Sequence, residues 1–420
     1  MSLKSDFPAI HHALDSKFGM YRSMRLGVAV SGGGDSLALL HALTEYFSDR
    51  PTQIIAATVN HRLRPEALSE VQFCAEIANK LKIEHQVLNW DDWDGKGNLQ
   101  AQARQARYDL LTTWARHNQI STLTTAHTAN DQAETIIMRL ARASGVEGLG
   151  GIPSYRDVDG VRVLRPFLSL GREQLQAYLT NQGVNWISDP SNDNRRFERV
   201  KVREALRHLE PLGLTTPVLT EVAGNLQSAK EALNWYARKE AQDMVTLDKG
   251  DVVIERKKFC ALPKETARRI LACVLRWIGG SDYTPRRDSI TQVLEAIDAK
   301  YASTLNGCAV QHDDTQVRVF REYQAVKNVR SAAHETWDRR WRISGTKSPP
   351  KNATIRALGA DGVRQSLNVP IATQPRAALI ANPSLWLHEE LLADPWTASS
   401  QPWNLQLIST PDLFSTSILD

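Results

Sequence analysis

Cysteine is scarce in this chain: four in 420 residues (Cys74, Cys260, Cys273 and Cys308), widely spaced and without a C-x-x-C pair. That argues against a disulfide framework, a zinc ribbon and a cysteine-bound iron–sulfur cluster. It leaves Cys74 and Cys260 to be read as small buried apolar side chains. No apolar run approaches about 18 residues, so no transmembrane helix and no membrane partner are expected. The opening MSLKSDFPAI lacks the apolar centre of a signal peptide. Charge of one sign is lacking too, since 51 Lys+Arg face 47 Asp+Glu for a net +4, far from a histone-like polycation. Neither an internal repeat nor a low-complexity tract interrupts the sequence. What remains is ordinary globular composition, 42% hydrophobic and 23% charged, in a chain long enough for two or three domains. The expectation is a reduced, cytoplasmic, soluble protein.

The first two hundred residues alternate strand-like and helix-like segments. Strands are predicted at 25–30 (RLGVAV), 53–59 (QIIAATV), 84–88 and 121–126, with helices at 37–47, about 65–81, 99–118 and 130–142, the last with Asn130 as N-cap. Strands alternating with helices imply βαβ units, hence an α/β fold with a doubly wound parallel sheet. Ligands of such sheets bind beyond the carboxyl ends of the strands, where the motifs below fall. The segment PLGLTTP (211–217) is a natural boundary. Helices are predicted at 219–244, 264–278 and 288–300, followed by a β-like stretch at 308–323. The domains expected are 1–213, a mainly helical 214–330, and a small 331–420. The last holds five of the eleven tryptophans (Trp337, Trp341, Trp386, Trp396, Trp403), read as core rather than as a binding surface.

The sharpest local signal is VAVSGGGDSLALL. A strand ends at Val30, three glycines (Gly32, Gly33, Gly34) follow Ser31, and a helix begins near Asp35 and Ser36. Glycines let backbone N–H groups approach an anion, and a helix N-terminus adds donors and a favourable dipole. The hydroxyls of Ser31 and Ser36 suit phosphate oxygens, and Asp35 suits a bound Mg²⁺. A Walker loop would place a lysine after the glycines, and a dinucleotide fingerprint a third glycine at Leu37; neither is present. The S-G-G-x-D-S form resembles the PP-loop of the ATP pyrophosphatase superfamily, whose fold is PP-loop/HUP-like and whose members cleave ATP between the α and β phosphates.

Further segments narrow the resemblance: VNHRLR (59–64), NLQAQARQARY (98–108), HTANDQAET (127–135), RASGVEGLGG (142–151), LRPFL (164–168) and ISDPSN (187–192). In this order they resemble the tRNA(Ile)-lysidine synthase family, over about 20–210 and more faintly over 216–325. The resemblance implies a two-step ligase. ATP adenylates the 2-position oxygen of the wobble cytidine in an isoleucine tRNA with a CAU anticodon. The ε-amine of free L-lysine then displaces AMP. It implies ATP and Mg²⁺ as cofactors, and a monomer or homodimer. Ser31, Gly32, Gly33, Gly34, Asp35, Ser36, Asn60, His61 and His127 would hold the nucleotide, and Asp35 and Asp131 the metal. The catalytic set would be Asp35, Arg107, Asp131 and Glu134.

The residue types agree with that chemistry. An amine of pKa about 10.4 is neutral in only ~0.04% of molecules at pH 7, so a carboxylate that accepts its proton helps. Asp131 and Glu134 stand at i, i+3 on one helix face. Arg104 and Arg107 lie a turn apart as candidate donors to phosphate, with Arg107 preferred. The basic stretch RRFERVKVREALRHLE (195–210) offers Arg199, Lys201 and Arg203 to tRNA phosphates. Two departures stand out: Asn130 where many members carry Asp, and no Asn between Arg199 and Arg203 where the family often shows R-N-x-x-R. Two other readings compete. One is an ATP-dependent amidating ligase acting on a small molecule; the other is a non-catalytic RNA-binding protein on a decayed nucleotide fold.

Overall fold

The computed structural model describes residues 3–20, 24–62, 67–91, 93, 97, 99–187, 198–281, 283–366, 374–397 and 401–408. Parts of three motifs, at 63–64, 98 and 188–192, and the start of the basic stretch at 195–197 lie outside the described residues. Two compact units are present, Met1–Lys230 and Glu231–Asp420.

The first unit opens with α1 (Leu3–Asp6) and α2 (Pro8–Phe18). A run of alternating elements follows: β1 (Arg25–Ala29), α3 (Gly34–Tyr46), β2 (Gln53–Asn60), α4 (Ala67–Lys80), β3 (Glu84–Asn89), α5 (Leu99–His117), β4 (Thr122–Thr124) and α6 (Ala129–Leu140). Then come α7 (Val146–Leu149), β5 (Tyr155–Val158), β6 (Val161–Leu164), α8 (Arg172–Asn181), α9 (Glu198–Leu209) and the start of α10 (Thr216–Gln242). The sheet order is β3-β2-β1-β4-β6-β5. Gly27 is partnered by Ile55 on one side and Leu123 on the other, both parallel. β6 continues the parallel array, while β5 joins it antiparallel as a hairpin at the edge. That hairpin is a structural addition to the four strands expected. Tyr155, Arg156 and Asp157 are exposed, so its outer strand has no continuous apolar run to betray it.

Apolar strand runs are buried on both faces, as a parallel sheet requires. Leu26 and Val28 pack with Leu37, Leu40, Leu175 and Leu179 on one face. Ile55, Ala57, Leu123 and Val163 pack with Leu111, Trp114 and Ala115 on the other. Gly27 is required by this closeness, because a Cβ there would lie 3.1 Å from Trp114 and 3.2 Å from Ile120. The chain order reverses between β1 and β4, the switch point where such a sheet opens a crevice. α6 starts beyond β4 at that point and is backed by Leu219 and Ala223 of α10 against its own Ala133 and Ile136.

In the second unit, the sequence between the helices contains a hairpin, β7 (Val245–Asp248) and β8 (Asp251–Glu255). It joins β9 (Ser303–Leu305), β10 (Cys308–His312) and β11 (Gln316–Arg321) in an antiparallel sheet. Two amphipathic helices, Lys264–Gly279 and Arg287–Asp298, cover it with Ile270, Val274, Ile278, Ile290 and Val293. Short strands from Arg330–Ala332 to Asn404–Leu407 enclose a last core around Trp337, Trp341 and Leu385. Trp337, Trp341 and Trp386 are buried and Trp396 and Trp403 half-buried, so the tryptophans serve mainly as core. Cys74 is buried as expected, but Cys260 is exposed: it ends a one-turn helix whose inward position is taken by Phe259. Among the described residues no helix is long and apolar enough to cross a membrane.

Candidate active site

The glycine loop joins β1 to α3 at the carboxyl edge of the sheet. Gly33 is the N-cap of α3. Ser36 Oγ donates to Gly33 O at 2.9 Å and accepts from Ser31 N–H at 3.1 Å, while the two serine hydroxyls stand 3.2 Å apart. The serines thus close the loop on itself, and the first-turn amides of α3 are left facing the crevice. Gly32 has φ +78°, and its carbonyl accepts from Ile187 N–H at 3.0 Å. A Cβ on Gly32 would meet Ile187 Cδ1 at 3.0 Å and Cys74 Sγ at 3.4 Å. Gly32→Ala is therefore expected to cost about 1–2 kcal/mol for the left-handed backbone. It should also weaken binding of an ATP analogue about tenfold by displacing the loop. Thermal melts and calorimetric titration check both; unchanged affinity would show that the loop tolerates a side chain.

The loop opens into a cavity of about 710 Å³. Its wall includes Ser31, Gly33, Gly34, Asp35, Ser36, Arg107, His127, Asp131, Arg199 and Arg203 of the expected residues. Gly32 is buried against Ile187 and is not among the described residues that line the cavity. Asn60, His61, Glu134 and Lys201 are not among the described residues that line it. Asn60 is buried as the last residue of β2, where its Oδ1 accepts from Arg62 N–H at 3.0 Å. His61 sits behind Arg107, whose Nη2 is 3.4 Å from its Nε2. Lys201 is exposed. Both candidate helix arginines, Arg104 and Arg107, reach the cavity, with Arg104 also 5.4 Å from the Tyr108 ring centroid.

α6 carries the acidic pair. Its N-cap is Thr128, not Asn130: Asp131 Oδ2 accepts from Thr128 N–H at 2.9 Å and from the Thr128 hydroxyl at 3.1 Å. Asn130, displaced from the cap, bridges to α8, its Oδ1 accepting from Arg172 N–H at 2.8 Å. An aspartate would do the same job, so the departure at position 130 keeps the acceptor and drops only the charge. Asp131 Oδ1 faces Arg199 Nη1 at 3.5 Å. Glu134 is 1% exposed, and Arg203 Nε donates to its Oε1 at 2.5 Å. Arg199 and Arg203 thus turn one face of α9 towards the carboxylates.

Arg172 was not singled out by the sequence. It is the first residue of α8, lines the cavity, and its Nε donates to Asp35 Oδ2 at 3.1 Å. The available signal was a basic residue at a helix start directly after the LRPFL strand end. Trp186 was missed as well; its indole lies 3.4 Å from where a Gly34 Cβ would be, so it covers the loop from the cavity side.

Two of the cavity carboxylates, Asp35 and Asp131, are driven apart in proton affinity. Burial pushes Asp35 above the ordinary carboxylate range against the pull of Arg172, and the charge of Asp131 adds to the rise. Asp131 is held below that range: burial opposes ionisation, but the bond from Thr128 and the charges of Arg172 and Arg199 outweigh it. His127 is pushed down to about 4, by burial first and then by Arg165, Arg104 and Arg199 against Asp131. It stands as a neutral imidazole beside the Thr125 hydroxyl at 3.1 Å.

His61 is likewise lowered to about 4, by burial and then Arg107. A histidine whose folded pKa lies below its unfolded value of about 6.5 prefers its neutral form in the native state. Its contribution to stability is full above pH 6.5 and is lost as pH falls towards 4. Melting temperature should drop across that window, and His61→Gln should flatten the drop; a parallel curve for the variant would remove His61 as its source.

A glycine loop at the switch point, a half-buried carboxylate on its helix and several arginines define a nucleotide-binding α/β domain of the PP-loop class. Residues 8–210 match the PP-loop domain family, which carries the use of ATP with it. The chain belongs to the tRNA(Ile)-lysidine synthase family. It is 42% identical to the tRNA(Ile)-lysidine synthase of Ruegeria pomeroyi over 97% of this chain and 96% of that one. It is 34% identical to the same enzyme of a Wolbachia from Brugia malayi over 81% of each. Among solved structures, the U34-tRNA thiolase NcsA of Methanococcus maripaludis superposes with a TM-score of 0.46 and 16% identity, over 53% of this chain and 78% of that one.

Proposed function

We propose that the protein is an ATP-dependent tRNA-modifying ligase. It adenylates the 2-position oxygen of the wobble cytidine in a CAU-anticodon isoleucine tRNA with release of pyrophosphate, then joins free L-lysine to that carbon with loss of AMP. The observation that carries this reading is one cavity shared by the glycine loop, a cavity-facing carboxylate and several arginines. Adenylation and amine attack both need that combination within one site. A pyrimidine oxygen leaves poorly and AMP leaves well, so energy must be spent at the α-phosphate. The loop amides and Arg107 and Arg172 match the charge of the triphosphate. Asp131, ionised and lining the cavity, is the carboxylate suited to receive the lysine ammonium and to accept its proton as the nitrogen bonds to carbon and becomes acidic.

The donors present also fit Mg²⁺. Among the described residues no group of three or more His, Cys, Asp or Glu is placed to hold a metal unaided. Mg²⁺ commonly uses one or two carboxylates together with substrate phosphates. The mutual repulsion of Asp35 and Asp131 is what a cation arriving with the nucleotide would relieve, and these two residues would hold it. When bound, it neutralises phosphate charge. Binding of the tRNA body falls in this reading to Lys201 and to the regions 214–330 and 331–420, in a cytoplasmic monomer or homodimer.

Mass analysis of isoleucine tRNA after incubation with ATP and lysine tests the function. A gain corresponding to one lysine less one water, with AMP released only when both lysine and the unmodified tRNA are present, is expected. AMP release that ignores the tRNA would point to a small-molecule substrate, and tRNA binding without ATP turnover to a binding protein.

A further inference from the structure

Glu134 and Arg203 form the tightest pair at the site, yet they play unequal parts in its surface. Glu134 is 1% exposed and stands in α6 beneath the cavity wall, with Oε2 buried and without a hydrogen-bond donor among the described residues. Arg203 is 27% exposed on its side chain and lines the cavity. A lysine ammonium cannot reach Glu134 unless Arg203 leaves. The nitrogen that holds Glu134 is Nε, at 2.5 Å. A guanidinium offers five N–H donors in a rigid fork, so anchoring Nε sets the orientation of the remaining four.

Arg199, Arg203 and Arg207 recur at i, i+4 and i+8 on α9, and all three line the cavity. The charge of Arg203 is felt at Asp35 on the glycine-loop helix. Lys201 points elsewhere, into solvent. The inner face of α9, which includes Glu204 beside the arginines, thus lines the same cavity as the glycine loop, and the outer face meets the surroundings.

We propose that Arg203 is a phosphate-binding residue of the nucleotide cavity, contacting the triphosphate of ATP, and that Glu134 is the positioning residue that aims it. The proposal rests on the ATP-dependent reading above but concerns nucleotide binding alone. Removing Glu134 should therefore harm the nucleotide side of the reaction rather than the affinity for lysine.

The test compares Arg203→Gln, Arg203→Lys, Glu134→Gln and the double variant Arg203→Gln/Glu134→Gln in the full chain, with melting temperature as a check on folding. Glu134→Gln retains an amide oxygen that can accept from Nε, and Arg203→Lys keeps the charge but loses the fork, so neither empties the pair. Titration with α,β-methylene ATP, which cannot be cleaved at the reacting bond, should show Kd raised about tenfold in Arg203→Gln and several-fold in Glu134→Gln. The double variant should be no worse than Arg203→Gln alone, since one residue acts through the other. Arg203→Lys should recover only part of the loss. KM for lysine and Kd for tRNA should stay within about twofold.

A raised lysine KM in Glu134→Gln with unchanged analogue binding overturns the proposal and makes Glu134 a lysine contact. Multiplicative losses in the double variant overturn the positioning role. A weaker tRNA Kd with a shallower salt slope in Arg203→Gln, analogue binding being intact, assigns the arginine to a tRNA phosphate and overturns it too. If the wild-type protein adds no lysine to tRNA while the analogue pattern is as expected, the functional reading fails and this inference stands.

Discussion

Asp35→Asn is expected to lower AMP release by about 10³-fold, near 4 kcal/mol of transition-state stabilisation, while raising the melting temperature at neutral pH. The opposite signs follow from one fact. Asp35 is 22% exposed on its side chain, and its proton affinity is raised by burial and by Asp131 in spite of Arg172. A carboxyl whose folded pKa lies above the unfolded one contributes stability below the unfolded pKa and loses it as pH rises through the folded value. At pH 7 the folded chain therefore bears the cost of an ionised group it would rather protonate. The amide keeps an acceptor for Arg172 Nε, now 3.1 Å from the carboxylate, and so removes charge with little change of shape. Stability given up at a functional site is the usual exchange between stability and activity. Rates of AMP release, melts at pH 7 and tRNA filter binding, expected to change less than twofold, check the three parts. Wild-type turnover in Asp35→Asn would show that the carboxylate charge is not needed.

Asp131→Asn should behave differently on both counts. Asp131 is held ionised, so its charge stabilises the fold above about pH 4 and that contribution fades as pH falls towards the lowered folded pKa. It also caps α6 through Thr128 at 2.9 and 3.1 Å. The asparagine retains an acceptor for one of those bonds but loses the charge at the helix N-terminus, a cost of about 1 kcal/mol. Lysine transfer is expected to fall at least ~100-fold, and by more than the adenylation step does in single-turnover experiments with labelled ATP. If Asp131 takes the proton from the ammonium, the variant's rate should climb about tenfold per pH unit between 7 and 9, following the fraction of free amine. A flat profile, or an unchanged KM for lysine, would take this role from Asp131.

The contrast between these two aspartates could not be read from the chain. Both stand in the first turn of a helix after a strand, in similar local contexts, and both suit a metal or phosphate. Their proton affinities part because Asp35 is half-buried near a second carboxylate, and burial with that charge outweighs the pull of Arg172 and Arg203, whereas Asp131 also accepts two bonds from its own cap. The helix cap was misplaced for a related reason. Asn130 and Thr128 are both good caps by type, and the choice was made by where the backbone turns after β4. Asn130 was then claimed by α8, 42 residues further on.

Local pattern carried much of the rest. Apolar runs of strand length, the glycine loop at the end of the first and the spacing of helix formers are short-range properties, and they placed β1 to β4, α3 to α6 and the nucleotide loop to within a few residues. The edge hairpin β5–β6 escaped because an exposed outer strand has little apolar signature. Pairings across long sequence separations lay beyond reach of any such pattern: Arg172 with Asp35, 137 residues apart, and Arg203 with Glu134, 69 apart. A basic helical stretch reads alike whether its arginines meet solvent, tRNA or buried carboxylates, because periodicity says which residues share a face and not what that face meets. Chemistry-bearing residue types and the order of elements were thus written in the chain, while the partners of each charge, and with them the direction of each arginine and the proton affinity of each carboxylate, were settled when α6, α8 and α9 closed around one crevice.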